Sequence, residues 1–249
     1  MTKYFYTATG NLEIIDTPNT AQASARAYPW HTHLRHWTAG HIAAGAVHLT
    51  LENTTRRYRA NDTFLIPPKM PHQLVVEPGS ALTVLSYTDP AELAGLTSLF
   101  FRSKNNAAPF VVGEGLLKLL LTARNTPEIC QQTEAIQAEG MANAIGSIAA
   151  RIVAWPQAEF SLAAMAEYAG FSRWHFLRCF RAHIGMSPHA LQTQCRLRLL
   201  RTGIRMDADL ASLAVSTGFT DQSHMHKLFK RHHCLTPKQF RQASFKLSL

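Results

Sequence analysis

Three histidines carry the densest coordination chemistry of this 249-residue chain. His31 and His33 stand two positions apart, and His72 follows in a later segment of the same strand-like character. Residues i and i+2 of a strand point to one face, so two imidazoles converge and a third can join them from a neighbouring strand. A three-imidazole set suits Zn, Ni, Co, Cu or Fe. The same side chains could instead line a pocket and hydrogen-bond a small organic effector, or serve as core histidines. His36, His41 and His48 enrich the region and could equally lie on the surface. No nucleophile constellation, Gly-rich phosphate loop or carboxylate cluster for metal-assisted strand cleavage accompanies them.

A second chemistry lies in the last third of the chain. LAAMAEYAG (Leu162 to Gly170) returns as LASLAVSTG (Leu210 to Gly218), and SRWHFLRCFRAHIGMSP (Ser172 to Pro188) returns as DQSHMHKLFKRHHCLTP (Asp221 to Pro237). Each copy reads as a helix, a Gly-containing turn, a capped second helix and a Ser-Pro or Thr-Pro stop, the pattern of a helix-turn-helix. In the first copy Phe176 and Phe180 face inward. Arg173, Trp174, Leu177 and Arg178 then fall on the opposite face near the helix start, where a recognition helix reaches base edges. Trp174 could alternatively be a core aromatic, although the two phenylalanines already fill the inner face. In the second copy Met225 and Phe229 face inward, which leaves Gln222, Ser223, His226 and Lys227 outward. Gln can bond adenine bidentately, and Lys or Ser can reach guanine or phosphate. His224 is assigned to half-buried packing. Lys230, Arg231, Lys238 and Arg241 are placed as phosphate contacts, which position the protein without reading sequence.

The elements that must hold these residues follow from pattern. From Arg26 to about Asp89, short alternating segments (AVHLTLEN, TFLIPP, HQLVVEP, ALTVLSYTD) are separated by Gly, Pro, Asn and Asp, as in a small barrel or sandwich. Helical patterning starts near Ala91. Gly115 to Arg124 and Glu128 to Trp155 read as an α-hairpin, in which Ile145, Ile148 and Ile152 form one apolar stripe. Trp155-Pro156 ends it. Ser187 caps and Pro188 opens a helix between the two repeats, running to about Ile204. Its Arg196, Arg198 and Arg201 can track phosphate or salt-bridge to the modules. Residues 1–110 thus form the sensing domain, 111–155 the hairpin and 156–249 the reading domain.

Charge divides the same way. Residues 1–149 balance 11 Lys/Arg against 11 Asp/Glu, whereas residues 150–249 carry 14 against 5, the whole of the net +9. A basic surface coinciding with a duplicated helical unit points to a polyanion partner. No apolar run reaches a membrane span and no secretory pattern opens the chain. The four cysteines form no CxxC pair or disulfide framework, so a cytoplasmic protein without membrane association is expected.

Two resemblances sharpen this reading. Gly218 to Arg241 (GFTDQSHMHKLFKRHHCLTPKQFR) resembles the signature of AraC/XylS-type transcription regulators, and the likeness extends over about residues 157 to 242. It implies that both helix-turn-helix units bind DNA through the outward residues named above. Three departures stand out: Cys234 where the family usually has Gly, Leu200 where it has Ala, and Gly203 where it has Leu. The first removes the easiest helix stop, and the last costs helix propensity of ~1 kcal/mol. The segment from about residue 20 to 90 is similar to a cupin barrel. His31, His33, Gly45, Pro67 and His72 match its pattern, Thr38 replaces the metal-ligating Glu, and Lys69 replaces the second Gly.

The expected fold is therefore α+β and multidomain: an N-terminal cupin-like barrel with an α-hairpin, and a C-terminal all-α domain with two helix-turn-helix motifs on a linker helix. The resemblance implies a regulator that binds double-stranded promoter DNA, most simply an activator that recruits RNA polymerase. It also implies a homodimer formed through the hairpin. The barrel is expected to sense a small molecule or transition metal at His31, His33 and His72. No cofactor is certain and no catalytic residue is assigned. The competing class is a cupin-type metal-dependent enzyme with an appended DNA-binding domain, against which Thr38 counts, because it supplies no carboxylate.

Overall fold

A computed structural model describes residues 2–7, 12–17, 25–51, 54–88 and 141–247. These residues form two compact units. The strand-rich unit takes the described residues up to Ala27, from His33 to Thr88 and from Ala243 onward, and the helical unit takes Tyr28–Thr32 and Met141–Gln242. The first helix of the expected hairpin, and the start of its second, lie outside the described residues.

The strands are β1 (Lys3–Thr7), β2 (Leu12–Thr17), β3 (Arg26–His31), β4 (Trp37–Ala44), β5 (Ala46–Leu51), β6 (Thr54–Arg59), β7 (Thr63–Ile66), β8 (His72–Val76), β9 (Ala81–Tyr87) and β10 (Ser244–Leu247). They make a six-stranded sheet, β10-β1-β2-β9-β4-β7, and a four-stranded sheet, β3-β8-β5-β6. Alternating apolar residues of β2, β5, β8 and β9 supply the core, with Leu12, Ile14, Val47, Leu49, Val76 and Leu85 all buried. β4 departs from alternation. Thr38, Ala39, Gly40, His41 and Ile42 are buried in succession, between β9 on one side and β7 on the other. Gly40 pairs with Phe64 of β7, whose ring lies where a side chain at 40 would stand. β10 comes from the far end of the chain. It pairs in parallel with β1, Tyr4 opposite Ser244, and Phe5 and Phe245 stack at 5.5 Å.

The helices are α1 (Met141–Ala154), α2 (Leu162–Tyr168), α3 (Arg173–Ile184), α4 (Pro188–Arg205), α5 (Leu210–Ser216), α6 (Gln222–His233) and α7 (Pro237–Gln242). α1 carries the isoleucine stripe, and Ile145, Ile148 and Ile152 are all buried. That stripe is spent within the helical unit, where α1 packs on α4 and α3. The sequence-based boundary at Trp155-Pro156 marks the end of α1, but the helix belongs with the repeats that follow it. α4 is the hub of the unit, with Leu191, Cys195, Leu197, Leu200 and Ile204 buried along its length. Gly203 is explained by packing: a Cβ there would stand 2.2 Å from the Leu213 side chain of α5. The glycine lets the second repeat seat closely on the hub, so its helix-propensity cost is offset by contact. Cys234, expected to weaken the stop of α6, takes the left-handed conformation itself (φ 58°), and its N–H still bonds the Lys230 carbonyl at 2.8 Å.

Candidate nucleic-acid interface and histidine site

Each repeat builds its recognition helix in the same way. Ser172 caps α3 by accepting the His175 N–H, and Asp221 caps α6 by accepting the His224 N–H at 2.8 Å. Gly170 (φ 71°) and Gly218 (φ 84°) make the turns before them. At Gly218 an added Cβ would also stand 2.9 Å from the backbone of Gln157, so the second turn abuts the segment that leads into the first repeat. Phe176 and Phe180 anchor α3, Met225 and Phe229 anchor α6, and all four are fully buried.

The opposite faces are open. Arg173, Trp174 and Arg178 are exposed, Trp174 to 72 %, which excludes the core-aromatic reading. The Arg178 guanidinium lies 5.3 Å from the centre of the Trp174 indole, a cation–π pair on the reading face. Leu177 is half-buried beside them. On α6, Gln222, Ser223 and Lys227 are exposed. His226 and His224 exchange the roles expected of them. His226 is half-buried with its Nε2 covered, whereas His224 is exposed, 6.0 Å from the Phe219 ring. The cause is helix phase, since position 226 lies three residues before the second anchor, Phe229, whereas position 224 lies five before it and turns farther from the buried face.

Lys230, Arg231 and Lys238 are exposed, as a phosphate-contacting role requires. Arg241 is a correction. It ion-pairs with Asp207 at 2.8 Å and donates to the Ala208 carbonyl at 2.6 Å, tying α7 to the turn after α4. The hub arginines divide similarly. Arg198 is exposed, but Arg196 donates to the Pro156 and Ala158 carbonyls, and Gln192 donates to the same two. Arg201 and Arg205 place guanidinium groups over the Phe240 ring at 5.4 and 5.2 Å. Sequence pattern alone missed these clamps, because a Gln or Arg on a helix carries no mark of a distant carbonyl partner.

The three histidines do come together. His31 ends β3 and His72 opens β8, strands that neighbour each other in the smaller sheet. The ring of His33 stacks on His72 at 5.3 Å, and one nitrogen from each of the three lies within 4.8 Å of the others. Two of the rings are held alike. His31 Nδ1 pairs with the Pro29 carbonyl at 2.8 Å, and His72 Nδ1 with the Met70 carbonyl at 2.9 Å. A carbonyl can only accept, so each Nδ1 carries a proton, and in the neutral ring the lone pair then falls on Nε2. Burial lowers the pKa of His31, with the Pro29 hydrogen bond opposing it, and this favours the neutral ring that ligation requires. Lys69 adopts φ 65°, so the backbone keeps the turn that the expected glycine would make. Thr38 shares a buried 3.2 Å hydrogen bond with Ser86, which places a hydroxyl pair where the cupin pattern has a carboxylate. His48 is committed elsewhere, to Glu77 at 2.7 Å, and His41 is buried within β4.

Comparison with known proteins agrees with this anatomy. Residues 17–139 match the family model of the AraC-like ligand binding domain, and residues 165–243 match a helix-turn-helix domain. An uncharacterized HTH-type transcriptional regulator of Haemophilus influenzae is 32% identical over 93 residues, which is 37% of this chain and 31% of that protein. The HTH-type transcriptional regulator MtrA of Neisseria gonorrhoeae is 29% identical over 99 residues, 39% of this chain and 33% of that protein. The chain thus spans about a third of the length of these curated relatives. The crystal structure of ToxT from Vibrio cholerae superposes with a TM-score of 0.57 over 94% of this chain and 98% of its own, at 11% identity, which is a likeness of fold. With an AraC-like ligand-binding domain leading into a helix-turn-helix domain, the chain belongs to the AraC type of transcription regulators.

Proposed function

We propose that this chain is a sequence-specific regulator of transcription that grips promoter DNA with α3 and α6. The observation that carries the reading is the pair of capped helices. Each is anchored by two fully buried residues, and on a basic unit α3 presents Arg and Trp outward while α6 presents Gln, Ser and Lys. Such side chains read base edges in the major groove, while Lys230, Arg231 and Lys238 would meet phosphates. Activation through RNA polymerase, action as a homodimer and a cytoplasmic location belong to the same reading. Among the described residues no helix is long and apolar enough to cross a membrane.

For the barrel, the matched tautomers of His31 and His72 favour a divalent transition metal as the signal. His31, His33 and His72 would hold it, and once bound it supplies a fixed positive charge and a cross-link among the three segments. The carbonyl partners on Nδ1 are the outer-shell contacts that orient histidine ligands. Metal–nitrogen bonds of about 2.1 Å require the three rings to draw in from their present spacing. A small organic effector is the second reading, supported by the fold, since a ToxT structure of TM-score 0.56 is described with a bound unsaturated fatty acid. The enzyme alternative draws less support, because Thr38 stands at the position where the cupin pattern has its carboxylate.

Elemental analysis of the purified full chain tests the metal. Close to one equivalent is expected, and it should be lost in His33→Ala. Protein that carries none, and takes up none when offered Zn, Ni or Co, would leave the organic effector as the reading.

A further inference from the structure

His224 stands third in α6, three positions before Lys227 and seven before Arg231. That spacing sets the three on one side of a helix. All three are exposed, and they lie opposite the buried Met225 and Phe229. The basic face of α6 thus begins at His224. Residues at the start of a recognition helix are the ones that reach base edges. The core makes no demand on this ring. Its aromatic neighbour Phe219 is buried, yet the imidazole itself stays exposed.

The fold fixes where that imidazole stands. The His224 N–H donates to the Asp221 carboxylate at 2.8 Å, which pins its backbone in the first turn. The Phe219 ring meets the imidazole at 6.0 Å and 81°, edge to face. A side chain held in this way loses less freedom on binding. The first repeat treats the equivalent residue differently. His175 has its N–H bonded to Ser172, and its ring lies 4.7 Å from Phe171 at 49°. There the histidine is half-buried. The second turn is one residue longer, since Thr220 separates Phe219 from Asp221 whereas Ser172 follows Phe171 directly. The same helix position is therefore packed in one repeat and presented in the other.

We propose that His224 is a specificity-determining residue of the DNA site, donating a hydrogen bond to a guanine in the half that α6 meets. The inference rests on the reading of α6 as a recognition helix. Neutral or protonated, an imidazole carries an N–H donor. Guanine sets two acceptors, N7 and O6, side by side in the major groove. Adenine sets a donor beside its N7, and cytosine shows a donor there. A donor therefore ranks guanine first. Charge separates a base from a phosphate at this turn. The Asp221 carboxylate is exposed in it and repels a phosphate seated there, but not an uncharged base edge.

The test uses the full chain and the duplexes it enriches from a random-sequence pool. The wild type should enrich guanine at a position that His224→Ala no longer prefers, and the variant should bind the enriched duplex about fivefold or more weakly. Changing that G·C pair to A·T should cost the wild type a similar factor and the variant almost nothing. His224→Phe keeps a ring against Phe219 but has no N–H to give, so it should lose the same preference. If His224→Ala fails to fold, His224→Phe decides alone. Weakening on every duplex alike that His224→Phe restores makes the ring a packing residue and overturns the proposal. Uniform weakening that His224→Phe does not restore makes it a phosphate contact and overturns the proposal too. So does a folded variant that keeps the guanine preference, or a preference lost at another base. In each of these cases a Lys227→Ala variant that shifts preference elsewhere in the site leaves α6 standing as a recognition helix. A wild type that enriches no sequence overturns that reading, and this inference with it.

Discussion

Trp174 and Arg178 are four positions apart on α3, and the indole face supports the guanidinium of an exposed Arg178. A side chain already held in place loses less freedom on binding, so Arg178 is well prepared for a bidentate contact to guanine. Replacing Arg178 with Ala should therefore cost ~1–3 kcal/mol on a selected duplex and relax base preference at one position in the first half of the site. Repeated selection with the variant checks this, and equal weakening on all duplexes would instead make Arg178 a phosphate contact. Arg241 shows how identity alone misleads at this scale. Its type and place beside Lys238 fit a phosphate contact, but Asp207 and the Ala208 carbonyl occupy it. Nothing in the local sequence pairs 241 with 207, so that fate could be learned only from the fold. The nearness of His31, His33 and His72 follows the motif, but not strand alternation, because β3 ends at His31 and His33 lies beyond it. The Nδ1 bonds that set the tautomers of His31 and His72 were not legible, since they depend on backbone turns.

At the level of the element, α4 and α6 make opposite demands. Gly203 lets α5 approach α4, and Leu, the residue usual there in the family, would meet the Leu213 side chain. Gly203→Leu should destabilise the helical unit by ~1–3 kcal/mol, because overpacking outweighs the gain in helix propensity. A urea midpoint that rises would contradict the packing account. α6 ends in two histidines whose rings are neutral in the fold. Burial lowers the pKa of His232 to about 4, with His31 and Arg231 adding to the shift. Burial also holds His233 well below its usual value, ahead of the Arg201 charge, and its ring lies tilted against Phe229 at 4.5 Å. In the unfolded chain both titrate near 6.5. Between that value and the folded pKa the unfolded state binds more protons, so stability is full above about pH 6.5 and falls as pH drops towards 4. Melting temperatures measured across that range should decline, and His233→Phe should flatten part of the decline. Helix positions and caps were readable from the sequence at Ser172, Ser187 and Asp221, whose side chains all cap as expected. The phase of His224 and His226 was not, because it turns on which of the two residues flanking Met225 the core admits.

Across the whole molecule the charge asymmetry is the feature most open to test. The positive excess lies entirely in residues 150–249, and the exposed Lys230, Arg231 and Lys238 are part of it. Binding to a selected duplex should therefore weaken steeply with salt, log K falling linearly with log salt at roughly 0.9 per neutralised phosphate. A flat titration would remove the phosphate-dominated interface from the reading. The two-part plan and the paired helix-turn-helix units were legible because duplication and charge are long-range patterns that survive without coordinates. The assignment of α1 was less so. Its isoleucine stripe serves a partner helix or a second copy equally well on paper, and only packing on α4 and α3 chose between them. β10 was not foreseen at all, since a four-residue strand at the end of a helical domain has no periodicity to announce it. Its pairing with β1 bears on how the protein is made. The ribosome delivers β1 first and its neighbour only after every helix of the reading unit has been synthesised. For that whole interval the nascent barrel carries a bare strand edge, with unpaired N–H and carbonyl groups inviting any other chain to dock. Its safe maturation depends on something shielding that edge until Ser244–Leu247 emerges.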